Sequence, residues 1–229
     1  WFEFIQASVH SSFYQPETVL HRALPLAEKA RQTWLDFQLD PQDPDPDRIW
    51  QYLQSLESAA NSLAVLKGVP LTERRFMLQF PERVNELGYP EMTSGLIDLI
   101  APKMPDSSMI NIWIDEWKST LTKLGQKENC PLGLHPIRHG YYTRAAEALV
   151  DDEPAAALWI ILHTWTRAII SDLVDTESLE QWKNCMTELE IYGEHFQNCL
   201  NRFDQFLDQV EEIIEKWADY HGIDTTSIQ

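Results

Sequence analysis

Apolar residues recur along this chain at helical spacing, and no stretch of four to eight residues alternates cleanly between apolar and polar side chains. Steps of three and four residues place side chains on one face of an α-helix, whereas a half-buried strand needs a period of two. The sequence also lacks the Asn-Gly and Asp-Gly pairs that are typical of hairpin turns. The pattern therefore predicts an all-α protein built as a helical bundle.

The longest pattern lies in the last quarter of the chain. It predicts one helix from about Ser178 to Tyr220, roughly 65 Å long if unbroken, with Ser178 and Gln181 as its capping box and Gly193 as a bend. A third apolar stripe favours packing within the chain over a two-stranded coiled coil between two copies, which remains the alternative. The two registers of seven contain Trp182, Leu189, Phe196, Phe203, Val210 and Trp217, and Leu179, Met186, Leu200, Leu207 and Ile214.

The remaining pattern predicts shorter helices separated by proline and glycine. Pro25 is expected to kink or break the second of them, and the acidic, proline-rich segment 40–47 predicts a stiff loop. The run 155–162 is apolar almost all round, which is typical of a central, buried helix. Asp106 is the predicted N-cap of the helix over residues 107–124. The predicted helices cover residues 2–13, 16–39, 47–67, 72–80, 82–87, 91–100, 107–124, 137–150 and 153–173.

The chain of 229 residues is long enough for one large domain or two small ones. Residues 126–136 contain two prolines, a glycine and a cysteine, and they predict a linker or long loop. We therefore expect an N-terminal part of the bundle in residues 1–125, helices that complete it in residues 137–221, and a tail in residues 222–229.

The net charge of the chain indicates which kinds of molecule it is suited to bind. The chain has 36 Asp and Glu against 18 Lys and Arg, a formal net charge of −18. This charge disfavours nucleic acid and favours a cationic ligand or a basic protein surface. Three cysteines are too few for a disulfide scaffold and indicate a cytoplasmic location. The longest apolar run has eight residues, too short for a membrane span. Because the chain begins at Trp1, we expect it to be processed or cut from a longer protein.

Common catalytic motifs are missing from the sequence, including the P-loop, the dinucleotide-binding loop, His-Glu-x-x-His and Cys-x-x-Cys. No catalytic residue, metal or cofactor is therefore predicted. His135 and His139 are four residues apart and could share a metal on a helix, but Pro136 and Gly140 favour loop or helix-end positions for them.

Two clusters are candidates for a ligand or an interface. Arg74, Arg75 and Arg83 form the densest basic cluster, which suits an anionic ligand or a neighbouring domain's carboxylates; pairing with nearby glutamates is the alternative. A second patch contains aromatic and charged side chains on adjacent faces, which suits an interface or ordinary packing. Its members are Tyr141, Tyr142 and Arg144.

Glu190 and Glu194 are predicted to lie on one helix face beside His195, where a carboxylate pair could do acid–base work or form a solvated acidic face. His139 is a further candidate for a ligand or an interface. His163 follows a wholly apolar run and is expected to be a hydrogen-bonded core histidine.

Several segments are similar to the helical, HEPN-like region that follows the catalytic domain in nucleotidyltransferase-superfamily proteins. The resemblance covers about half of the chain and implies a substrate-binding or dimerising bundle of the kind found in kanamycin-type nucleotidyltransferases, whose aminoglycoside substrates are cationic. The segments that carry it are Tyr52-Leu53, Ser58–Gly68, Pro70–Phe76, Phe80–Arg83, Gly140–Ala145 and Ala155–Trp159.

The resemblance does not imply catalysis by this chain. The family's reaction needs a Gly-Ser loop and an Asp-x-Asp pair on a strand, and Asp43, Asp45 and Asp47 are instead interleaved with prolines. A related ribonuclease motif needs an Arg five to seven residues before a His, and no arginine here satisfies it. We therefore expect a non-catalytic accessory or substrate-binding module that works with a nucleotidyltransferase domain, in the same chain or in trans. A protein-interaction bundle, including a homodimer, is the alternative, and a metal-dependent hydrolase that uses His135, His139 and Glu190 or Glu194 is the least favoured.

Overall fold

The computed structural model describes residues 13–224, which form nine α-helices, three short 3-10 helices and no strand. The all-α prediction is confirmed. The 3-10 helices are Glu73–Arg75, Leu132–Leu134 and Gly193–His195. The α-helices are α1 (Pro16–Leu39), α2 (Pro46–Ala64), α3 (Phe76–Leu87), α4 (Glu91–Ile100), α5 (Ser107–Gly125), α6 (Pro136–Leu149), α7 (Pro154–Ile169), α8 (Thr176–Glu188) and α9 (Phe196–Tyr220).

Aspartate side chains begin three of these helices. Asp45, Asp106 and Asp175 each accept a hydrogen bond from the backbone N–H three residues later, which satisfies a group that the helix leaves unpaired. Asp106 was the predicted cap of α5. The prediction of Ser178 as a cap is wrong: Asp175 occupies that position, so α8 begins at Thr176 and Ser178 is buried in its first turn.

The single long helix predicted for the last quarter is two helices. The chain turns between α8 and α9, where Glu190 has φ of 58° and Gly193 has φ of 62°. A helix cannot contain such left-handed residues. The heptad repeat continues across the break because both helices bury an apolar face in the same core, and periodicity alone records burial rather than continuity.

Two prolines lie inside helices, one where a kink or a break was predicted and one where two separate helices were predicted. Pro25 is in α1, and Pro81 joins the two predicted helices 72–80 and 82–87 into α3. Pro25 is exposed, so water can reach the carbonyl group whose hydrogen bond the proline removes. The helix ends differ by a few residues elsewhere: α2 ends at Ala64 and α7 at Ile169. The predicted helix over residues 2–13 lies almost wholly outside the described residues.

Helix α7 occupies the centre, and thirteen of its sixteen residues are buried. It contacts α2, α3, α4, α5, α6 and α8, so helices from both sides of residues 126–136 share one hydrophobic core. The segment between them also joins that core through the fully buried Leu134. Helices α1 and α9 pack against each other and against α2.

Two hydrogen bonds between buried polar groups tie helices of the core together. The Tyr52 hydroxyl donates to the Leu99 carbonyl at 2.9 Å, and burial raises the pKa of Tyr52 well above its usual value. The Trp182 indole donates to the Thr166 hydroxyl at 3.0 Å, linking α8 to α7. Such bonds offset the cost of burying the groups. Within residues 13–224, no helix is both long and apolar enough to cross a membrane.

Gly193 lies in the turn between α8 and α9, whereas Gly140 lies inside α6, so substitution by alanine should change stability in opposite directions at the two positions. Gly193→Ala should destabilise the protein by about 1–2 kcal/mol, because its φ of 62° is unfavourable for a residue with a side chain. Gly140→Ala, inside α6 and with only a flexible arginine end nearby, should stabilise it by about 0.5–1 kcal/mol. Urea unfolding measures both. Equal signs for the two variants would contradict the assignment.

The Asp175 carboxylate that caps α8 should make the free energy of unfolding smaller in acid. The Lys123 ammonium, followed by the Ser178 backbone N–H, lowers the pKa of Asp175. A lowered pKa in the folded state stabilises the fold above the unfolded value, about 4, and this contribution is lost as pH falls through the folded value. Asp175→Ala should therefore lower the urea midpoint at pH 7, and its difference from the natural chain should shrink between pH 4 and pH 2.

Lys123→Met is the matched variant for this experiment. It removes the main cause of the pKa shift but leaves the backbone cap, so it should weaken the acid dependence less than Asp175→Ala does. An Asp175→Ala difference that is constant from pH 7 to pH 2 would show that the carboxylate charge contributes nothing.

Candidate binding sites

A groove of about 820 Å³ runs between α1 and α9. Leu24, Ala27 and Ile214 supply its apolar part, and its volume is in the range of small-molecule sites. The other residues that line it are Pro25, Glu28, Lys29, Arg31, Gln32, Leu35, Glu211 and Glu215.

Arg31 holds the two sides of the groove together. Its guanidinium donates to Asp204 at 2.5 Å, to Asp208 at 2.7 Å and to Glu211 at 2.7 Å, and its side chain is only 20% exposed. Burial alone would lower the pKa of Arg31, but the hydrogen bonds that it donates to Glu211, Asp208 and Asp204 outweigh this effect and raise the pKa. The arginine charge is thus neutralised, and the cluster keeps an excess of carboxylates.

The surroundings of the groove are negative. Five carboxylates, those of Asp204, Asp208, Glu211, Glu28 and Glu215, stand against the two cations Arg31 and Lys29. This surface was not predicted from the sequence. The signal was present in the last helix, where acidic residues at 204, 208, 211 and 215 follow steps of four, three and four along one face.

A second site joins the two clusters that the sequence singled out. The Arg74 guanidinium carbon lies 3.6 Å from the centre of the Tyr141 ring, a cation–π contact between the turn before α3 and helix α6. Tyr142 is buried, and its hydroxyl donates to the Gly133 carbonyl at 3.2 Å. Arg74 and Tyr142 both line a small cavity beside α7.

His163 lies at this second site, at the edge of the core, with 15% of its side chain exposed. Its Nε2 atom is 3.5 Å from the Glu57 carboxylate. The ring is flanked by Trp50 and Trp159, with centroids 4.6 and 5.6 Å away. Trp50 and Glu57 come from α2, more than a hundred residues away, and no local pattern in the sequence links them to the histidine.

The other basic candidates are not in the group formed by Arg74, Tyr141 and His163. Arg83 donates to the Lys67 carbonyl at 2.7 Å and packs over Gly68. Arg75 and Arg144 are exposed. A ring nitrogen of His139 is 2.7 Å from the Leu134 carbonyl oxygen.

His135 begins α6, where its Nδ1 accepts from the Ile137 N–H at 3.4 Å, so both histidines of the predicted pair contact backbone groups near the start of that helix. Glu190 and Glu194 do not share a helix face, because they lie in the turn between α8 and α9. Among residues 13–224, no group of three or more His, Cys, Asp or Glu is arranged to hold a metal ion.

Removing Arg31 should destabilise the fold, because three carboxylates lose their shared partner. Arg31→Met is expected to lower the free energy of unfolding by about 1–3 kcal/mol, measured with urea. Added salt should reduce the difference by screening the carboxylates from one another. Lys29→Met, on the exposed side of the same helix, should change stability by less than about 0.5 kcal/mol. Equal losses for the two variants would contradict a specific role for Arg31.

Comparison with known proteins leaves the geometry as the main guide to function. No known family, no curated protein and no solved structure matches the chain at a significant level.

Proposed function

We propose that this chain is a non-catalytic helical binding module that holds a polycationic molecule in the groove between α1 and α9. The observation that carries the proposal is the excess of carboxylates around an apolar floor. An apolar surface gives binding energy to the body of a ligand, and the surrounding carboxylates select for positive charge. The net charge of −18 draws such a ligand towards the protein.

The residues that line the groove support binding rather than covalent chemistry. Among the described residues there, none is a serine, threonine, cysteine or histidine, so a hydroxyl or thiol nucleophile paired with a histidine base has no members in the groove. Arg31 is occupied by three carboxylates, so it positions helices instead of receiving substrate. Nucleotide transfer catalysed by the purified chain would contradict this proposal.

The association with a nucleotidyltransferase domain, in the same chain or in trans, rests on the resemblance of segments in α2, α3, α6 and α7 to the helical region of that superfamily. The reading frame upstream of the Trp1 codon tests the first arrangement. A Gly-Ser loop followed by Asp-x-Asp would support it, and a start codon within a few residues would leave only the second. Three free cysteines support the expected cytoplasmic compartment.

Calorimetric titration with kanamycin, an aminoglycoside, tests the groove. The double variant Glu28→Gln and Glu215→Gln should weaken binding by about five- to tenfold, since each exposed ion pair contributes up to about 1 kcal/mol. Raising NaCl from 50 to 500 mM should also weaken it. Glu188→Gln, an exposed residue of α8 outside the groove, is the single-charge control and should bind almost normally.

The absence of kanamycin binding at millimolar concentration, or an equal loss in the Glu188→Gln control, would contradict the proposed cationic-ligand site.

A protein partner is the second candidate for the same groove. Leu35, which lines the groove, and Leu39, one turn further along α1, are 40% and 81% exposed, so they extend its apolar surface. The heptad seam of the last helix is already buried inside the chain at Phe203, Leu207 and Val210, so a partner would use the groove and not the seam. Binding of a basic amphipathic peptide without any binding of kanamycin would favour this candidate. Sedimentation would then separate a second copy of the chain from a different partner.

A further inference from the structure

The second site contains a small cavity enclosed by three segments that are distant in sequence. Its volume is about 10 Å³, room for one water-sized group. Arg74 comes from the turn before α3, Tyr142 from α6, and Trp159, Ile160, His163 and Thr164 from α7.

Hydrogen-bond donors are in surplus around this cavity. Trp159 is 1% exposed, and neither its Nε1 atom nor the buried Nε atom of Arg74 has an acceptor in the described part of the chain. Thr164 is occupied, because its hydroxyl donates to the Ile160 carbonyl at 2.6 Å. A buried N–H group without an acceptor is unfavourable, and an oxygen atom inside the cavity would supply one.

Neighbouring aromatic rings hold these donors in place. Arg74 lies over the Tyr141 ring, and Phe76 stacks on Trp159 with centroids 4.5 Å apart. His163 is flanked by Trp50 and faces the Glu57 carboxylate. A ligand would therefore meet groups that are already ordered, which lowers the entropic cost of binding.

Among the described residues that line the cavity, Arg74 is the arginine. Arginine is the side chain best suited to carboxylate and phosphate groups. Glu57 is the carboxylate that faces His163.

We propose that this cavity is a second binding site, which takes one oxygen of a phosphate- or carboxylate-bearing small molecule between Arg74, Trp159 and His163. The rest of the ligand lies outside the cavity, against the Tyr141 side chain, which is 44% exposed. This proposal does not rest on the groove between α1 and α9, whose charge preference is the opposite.

The test is an NMR titration of the indole N–H groups of the full chain, with inorganic phosphate in one series and acetate in another, at constant ionic strength. Trp159→Phe assigns the Trp159 signal. A saturating downfield shift of that indole proton is expected with at least one anion, and the series that saturates identifies phosphate or carboxylate as the recognised group. The indoles of Trp117 and Trp165, which are also buried without an acceptor, serve as internal controls and should not move.

Arg74→Gln should raise the dissociation constant at least tenfold, whereas Arg75→Gln, an exposed neighbour with the same change in charge, should raise it less than twofold. A Trp159 signal that stays still or drifts without saturation in both series would overturn the proposal and leave a water molecule as the occupant. Equal losses in the two variants would overturn it as well, because they would indicate general attraction of anions. If Arg74→Gln fails to fold, the titration of the natural chain still shows whether an anion binds next to the Trp159 indole.

Discussion

The burial of α7 on nearly every side is the constraint on which the rest of the structure depends. A helix whose surface is apolar all round can be stable only when other helices cover it completely. Six helices do so, and they come from both sides of the segment 126–136. This requirement explains why the two halves of the chain share a core, and why tryptophans such as Trp159 and Trp165 are fully enclosed.

Helices α1 and α9 are not among the helices that cover α7. Their exposed faces are distinguished by the charge of their side chains. Carboxylates at steps of three and four cover one face of α9, and Arg31 neutralises only part of them. The cavity beside α7 is lined instead by Arg74 and Trp159, each of which has a buried N–H group without an acceptor in the described part of the chain. The two proposed sites differ in ligand charge because carboxylates predominate around the groove and N–H donors around the cavity.

Local patterns in the sequence were enough to predict most of the helices. Helix α4 has the predicted bounds, and the cap of α5 at Asp106 is confirmed, because capping and periodicity depend on residues within one or two turns. The candidate site was predicted only in part. Arg74, Tyr141 and Tyr142 were singled out, but their meeting with His163 and Trp50 depends on how α2, α6 and α7 pack. That packing is set by contacts between residues far apart in sequence.

The sequence by itself determined the all-α class, the buried central helix and the acidic balance of the surface, since each follows from composition or from spacing along one helix. The tertiary structure alone decided where the long heptad pattern breaks, because an apolar repeat looks the same in one helix and in two helices that share a core. It also decided which residues meet at the two proposed binding sites. Arg31 meets Glu211, and Arg74 meets Tyr141, only after apolar faces have packed, so their contacts are consequences of the fold rather than of local sequence.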